Sequence, residues 1–157
     1  MFIQRICRLF AEKKIPMAVV GGYAVAIHGV ARGTFDLDII TEIGEENFVQ
    51  IEQTLAGIGM KSILPVDART LFQNLEAYKR SKHLVAWNFI HPDRVRDSLD
   101  ILVTEDLRDY ETIVVSTDAG EIVTISLDGL IRMKAGVGRE QDLEDVKALK
   151  KLRGDLP

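Results

Sequence analysis

A single cysteine, Cys7, excludes any disulfide within this chain and any cysteine cluster for zinc. That usage fits a reducing, cytoplasmic setting. No apolar run approaches the ~20 residues of a membrane-spanning helix, so no membrane association is expected. Met1 to Lys14 carries charges throughout and lacks the apolar stretch of a signal peptide. Positive charge is not in excess either, since 20 Lys and Arg stand against 24 Asp and Glu for a net charge of -4. That balance argues against a protein that holds nucleic acid mainly by charge, while leaving contact with an RNA end open. Aromatic residues are scarce at 6%. The three histidines, His28, His83 and His91, share no metal spacing. No repeat, low-complexity tract or linker interrupts the chain.

What is present is ordinary for a globular protein: 46% hydrophobic and 28% charged residues in 157 positions, enough to bury a core in one domain. The spacing predicts a helix over Phe2 to Lys14, stopped by Pro16. It predicts a buried strand over Met17 to Val20, a turn at Gly21-Gly22, and a short helix from Tyr23 to His28. A strand follows over Phe35 to Thr41, with Phe35, Leu37 and Ile39 expected in the core. Helices are predicted over Glu45 to Ile58 and Asp67 to Lys82. Strands are predicted over Leu84 to Ile90, where Trp87 and Phe89 read as core, and over Ser98 to Val103. Ile113 to Val115 and Glu121 to Ile125 read as strands around a turn at Asp118-Ala119-Gly120. The last part is helical from Leu127, interrupted at Gly136 and Gly138, with Leu143, Val146, Leu149 and Leu152 as the apolar stripe of its second piece. The order gives an α+β domain with a mixed central sheet flanked by helices, spanning residues 1–157.

Three features sit where phosphate and metal chemistry would want them. Gly21-Gly22 follows a strand and opens a helix, where bare backbone approaches an anion closely and helix-start N–H groups favour it. Asp36 and Asp38 lie two apart in a strand and so share a face. Like charges there repel, and a divalent cation with oxygen ligands would turn that repulsion into attraction. The alternative is a solvated face near Arg32. Asp100 is the one charge within Leu99 to Val103, so it needs either a cationic partner or a metal. His28 reads as a helix-end residue, and Asp142 and Asp145 share one helix face, solvated or anchoring Arg139.

Val20-Gly21-Gly22 followed by Asp36-Leu37-Asp38-Ile39 resembles the signature of the nucleotidyltransferase superfamily related to DNA polymerase beta. The set Gly21-Gly22-Tyr23-Ala24, His28-Gly29, Arg32, Thr34 and Asp36-Leu37-Asp38 looks more narrowly like the abortive-infection type toxin nucleotidyltransferases. Leu130-Ile131, Lys134, Arg139, Asp142 and Asp145 are similar to that group's C-terminal pattern. The resemblance implies a nucleotidyltransferase-like fold and transfer of a nucleoside monophosphate from a nucleoside triphosphate (NTP) to a hydroxyl of RNA, protein or a small molecule. It implies two Mg²⁺ ions held by Asp36, Asp38 and Asp100, with Gly21, Gly22, Arg32, Thr34 and Lys134 on the nucleotide. It also implies the toxin role of a toxin–antitoxin pair, with an antitoxin partner. A nucleotide-binding regulatory protein without turnover is the rival reading, because only about 54 residues follow Val103.

Overall fold

The computed structural model describes residues 1–155. Helices α1 (Phe2–Glu12), α2 (Gly21–Ile27), α3 (Glu45–Ala56), α4 (Ala68–Gln73), α5 (Leu75–Ser81), α6 (Leu127–Val137) and α7 (Glu140–Arg153) flank one sheet. Its strands are β1 (Met17–Val19), β2 (Leu37–Thr41), β3 (Lys61–Ser62), β4 (Ala86–His91), β5 (Arg94–Leu102), β6 (Thr112–Thr117) and β7 (Gly120–Ile125). They run in the order β3-β4-β5-β2-β1-β7-β6. Strands β2 and β5 are parallel, as are β1 and β7, and the remaining neighbours are antiparallel. The domain is therefore α+β with a mixed sheet, as its pattern predicts.

The sheet register decides what each face carries. Leu37 lies opposite Leu99 and Ile39 opposite Ile101 across β2 and β5, while Trp87 meets Ile101 and Phe89 meets Leu99 across β4 and β5. These residues share a face, and α3 covers it. Phe48 of α3 packs its ring 5.2 Å from Trp87, which lies 4.7 Å from Phe89. Trp87 keeps its one polar atom satisfied by donating from Nε1 to Ser62 Oγ at 3.0 Å. The opposite face therefore belongs to the alternate residues, Asp38, Asp100 and Asn88.

Several boundaries differ from the sequence reading, each for a local reason. Strand β2 begins at Leu37, so Phe35 precedes the first paired residue, finds no sheet to cover it and is 83% exposed rather than in the core. The helix expected over Asp67 to Lys82 breaks at Asn74, whose Nδ2 donates to the Thr70 carbonyl at 2.9 Å. Asp67 caps the first piece by accepting from the Thr70 N–H at 2.8 Å. Gly136 does not interrupt α6, which ends only at Gly138 with φ of 73°. In α7, Leu143 and Leu152 face solvent. Val146 and Leu149 of the predicted stripe are buried, and Asp142 and Asp145 complete that buried face in place of the two exposed leucines.

Replacing Trp87 by Ala should lower unfolding free energy by about 3–5 kcal/mol. Phe35→Ala should stay within about 0.5 kcal/mol of wild type, because nothing packs on that ring. Urea unfolding of the two variants side by side checks both.

Candidate active site

Strand register sets two of the carboxylates opposite each other. Asp38 lies opposite Asp100 across the parallel pair β2 and β5, and Asp100 lies opposite Asn88 across β5 and β4. The three form a row one strand spacing apart, about 4.8 Å per step. Asn88 Nδ2 donates to Asp100 Oδ1 at 2.7 Å, which fixes that carboxylate. Asp36 stands just before β2 and not within it. It is tied to the same neighbourhood by Ser98, whose hydroxyl donates to Asp36 Oδ1 at 3.1 Å. Position 98 is two residues before position 100, so Asp36 and Ser98 lie beside the row of Asp38 and Asp100.

Electrostatics follow from that crowding. Burial pushes the Asp38 carboxyl up to about 6, and the charges of Asp100 and Asp36 push the same way, while Lys134 and Arg139 oppose them. Repulsion thus reaches Asp38 from both of the other two carboxylates. Among the described residues, no three His, Cys, Asp or Glu side chains are drawn together into a metal-holding group. The donor chemistry fits magnesium in kind, since all three groups are hard oxygen ligands with unspent negative charge.

Both glycines are required by close approach. Gly21 adopts φ of 64°, and a methyl group there would overlap the Asp38 carboxylate. A methyl group on Gly22 would come within 2.8 Å of Thr34 Cβ. Gly21 and Gly22 are the first residues of α2 and not a turn ahead of it, so the start of that helix is pressed against the carboxylate strand on one side and against Thr34 on the other. Val20 N–H donates to the Asp38 carbonyl at 2.9 Å and locks the contact.

A cationic cluster completes the neighbourhood. Lys134 on α6 is only 6% exposed and lies 3.2 Å from Asp142 and 2.8 Å from Asp145. Arg139 Nε donates to Asp142 at 2.7 Å. Arg32 Nε sits 3.4 Å from Asp145, so its partner is Asp145 and not Asp36. Burial alone would push the Asp142 carboxyl up, but hydrogen bonds from Arg139 and Lys134 outweigh it and hold it below its ordinary range. Asp142 and Asp145 are accordingly anchors for cations and not a solvated face. His28 serves the fold: its Nε2 donates to the Ile125 carbonyl at 2.9 Å.

The sequence reading did not single out Asn88 or Ser98, which orient two of the three carboxylates. Asn88 was visible as a polar residue in an otherwise apolar strand, but its partner depends on a hairpin register that spacing does not reveal.

The sequence matches no protein-family model and no curated protein. Solved structures do resemble it. The lincosamide antibiotic adenylyltransferase LnuA, bound to lincomycin, superposes with a TM-score of 0.63 at 18% identity, over 96% of this chain and 96% of that one. An antigenic nucleotidyltransferase-like protein from Paracoccidioides brasiliensis gives 0.61 at 12% identity, over 96% of this chain and 74% of that one. ANT(2")-Ia in complex with adenylyl-2"-tobramycin gives 0.57 at 13% identity, over 98% of this chain and 94% of that one. At these identities the likeness is one of fold.

Gly21→Ala should destabilise the protein by more than the ~1 kcal/mol typical of a point change, through both the positive φ and the overlap with Asp38. Thermal melting of Gly21→Ala beside Gly33→Ala, where an added methyl meets nothing within 4 Å, checks the contrast. The raised Asp38 carboxyl also sets a pH dependence. Between its ordinary value of 3.8 and its folded value of about 6, the native state binds more protons than the unfolded state, so stability falls as pH rises through that window. Asp38→Asn should remove this fall, gaining melting temperature over wild type at pH 7.5 but not at pH 4. Melting at the two pH values measures it.

Proposed function

We propose that this chain, built on the nucleotidyltransferase-like fold, transfers a nucleoside monophosphate from an NTP to a hydroxyl acceptor. The observation that carries the reading is the register of Asp38 with Asp100 beside the two glycines that open α2 and leave room for the Asp38 carboxylate. Like charges so placed are costly unless a cation uses them, and a divalent ion with a triphosphate is the ligand that matches both halves of the site.

On this reading Asp36, Asp38 and Asp100 would be the residues that hold two Mg²⁺ ions. Magnesium, when bound, neutralises charge on the attacking and leaving oxygens of an in-line displacement. Gly21 and Gly22 offer backbone N–H groups to the triphosphate, with Thr34 and Arg32 beside them. Lys134 and Arg139 contribute positive potential that already reaches Asp38. The acceptor hydroxyl oxygen attacks the α-phosphorus, the bond to the bridging oxygen breaks, pyrophosphate leaves, and the hydroxyl proton moves toward Asp100. Asn88 and Ser98 hold Asp100 and Asp36 in position for this. Most of the rate enhancement comes from positioning and charge stabilisation.

The acceptor is a hydroxyl on RNA, protein or a small molecule. LnuA, a lincosamide antibiotic adenylyltransferase bound to lincomycin, and ANT(2")-Ia, in complex with adenylyl-2"-tobramycin, are similar in fold, which favours a small acceptor. The toxin-like sequence pattern favours a cellular macromolecule and an antitoxin partner. A second reading, nucleotide binding without turnover, draws on the absence of a three-carboxylate metal group among the described residues.

Incubation with Mg²⁺ and labelled NTPs, offering transfer RNA, total cell protein and lincomycin as acceptors, should give pyrophosphate release and a labelled product. Asp36→Asn and Asp100→Asn should each reduce the rate by about 100-fold or more, the scale of removing one group that stabilises transition-state charge. Nucleotide that raises the melting temperature without any label transfer supports the binding-only reading, and no nucleotide effect at all sinks both.

A further inference from the structure

The two edges of the sheet are built differently. One ends in β3, only Lys61 and Ser62, short and marked by an exposed lysine, as sheet edges that avoid association usually are. The other ends in β6, the six residues Thr112–Thr117, with no charge, no proline and no bulge in its register with β7. Ile113 and Val114 on it are 40% and 58% exposed.

Hydrogen-bond alternation shows which backbone groups of β6 are free. The Glu111 carbonyl accepts from Ser126 N–H at 2.8 Å, so residue 111 faces β7. In an antiparallel ladder every second residue then faces the same way, placing Ile113, Val115 and Thr117 toward β7. The N–H and C=O groups of Thr112, Val114 and Ser116 point outward. No backbone or side-chain hydrogen bond reaches them from elsewhere among the described residues.

We propose that β6 pairs antiparallel with β6 of a second copy of this chain, with Val114 at the two-fold axis. That register is self-complementary. It sets Val114 against Val114, Ile113 against Val115, Thr112 against Ser116 and Glu111 against Thr117. Each outward residue exchanges both of its hydrogen bonds with an outward partner, the three central pairs set β-branched side chains against each other, and no like charges oppose one another. The carboxylate row lies on β2, β5 and β4, on the other side of β1 and β7 from this edge, so the contact stands independently of the transferase reading.

Light scattering on the full chain at micromolar concentration should give twice the mass of one chain. Val114→Lys and, separately, Val114→Pro should both give a monomer with unchanged circular dichroism. The proline removes only an outward-facing N–H, which the ladder to β7 does not use. In hydrogen exchange, the amides of Thr112, Val114 and Ser116 should be slow in the wild type and fast in Val114→Lys. A monomeric wild type overturns the proposal, the edge then being one for a strand of another protein. A dimer that survives both substitutions, or fast exchange of those amides within a dimer, overturns it equally.

Discussion

Two aspartates in register on neighbouring parallel strands repel each other, and much of the central architecture answers that repulsion. Asp38 and Asp100 could relieve it by turning away, but Asn88 holds Asp100 in the row and Ser98 holds Asp36 beside it. Gly21 has no side chain to displace the Asp38 carboxylate. The remaining relief is protonation, since burial first, and then the charges of Asp100 and Asp36, push the Asp38 carboxyl up. A protein that needed only a stable sheet would place a β-branched residue at either position. The cost is retained at one spot, with hydrogen bonds aiming it, which is how strain is kept at functional sites.

The cation cluster has a related logic. A buried lysine between two carboxylates contributes little net stability, because desolvation of three charges offsets their attraction. Its value lies in position. Lys134 on α6 cannot swing away while Asp142 and Asp145 of α7 grip it, and Arg32 on the loop before Asp36 joins the same anchor. The loop leading into the carboxylate strand and the C-terminal helix pair are thereby fastened to each other. Positive potential is delivered to Asp38 without an ion pair that would consume its charge.

What could be read from the sequence follows from which signals are local. Asp36 and Asp38 two apart, and Gly21-Gly22 between strand and helix, are local patterns. The structure gathers both at one place, although Asp36 stands one step before the strand. The pairing of Asp38 with Asp100 is set by a parallel register between segments some sixty residues apart, and only a resemblance could link them. In α7 hydrophobic spacing finds the buried Val146 and Leu149 but also counts the exposed Leu143 and Leu152, and it ignores the carboxylates Asp142 and Asp145 that are buried beside them. A buried acid becomes legible only when its cation is known to face it. Phe35 differs for a simpler reason: alternation continues past Leu37, the first residue of β2 that pairs with β5.

The candidate site draws on β2, β4, β5, the start of α2 and, through its cations, α6 and α7, so no fragment of the chain carries it. Neither β2 nor the β4–β5 hairpin holds more than part of the row, and the parallel contact between them closes a long loop before it returns any stabilisation. The row of carboxylates can therefore form only when the central sheet is complete, and its repulsion arises at that last stage. Lys134, fixed through α7, supplies opposing charge at the same stage. A substitution that loosens α7 should consequently be felt at Asp38, although the two lie in different parts of the chain. Helix and sheet are coupled here by charge as well as by packing.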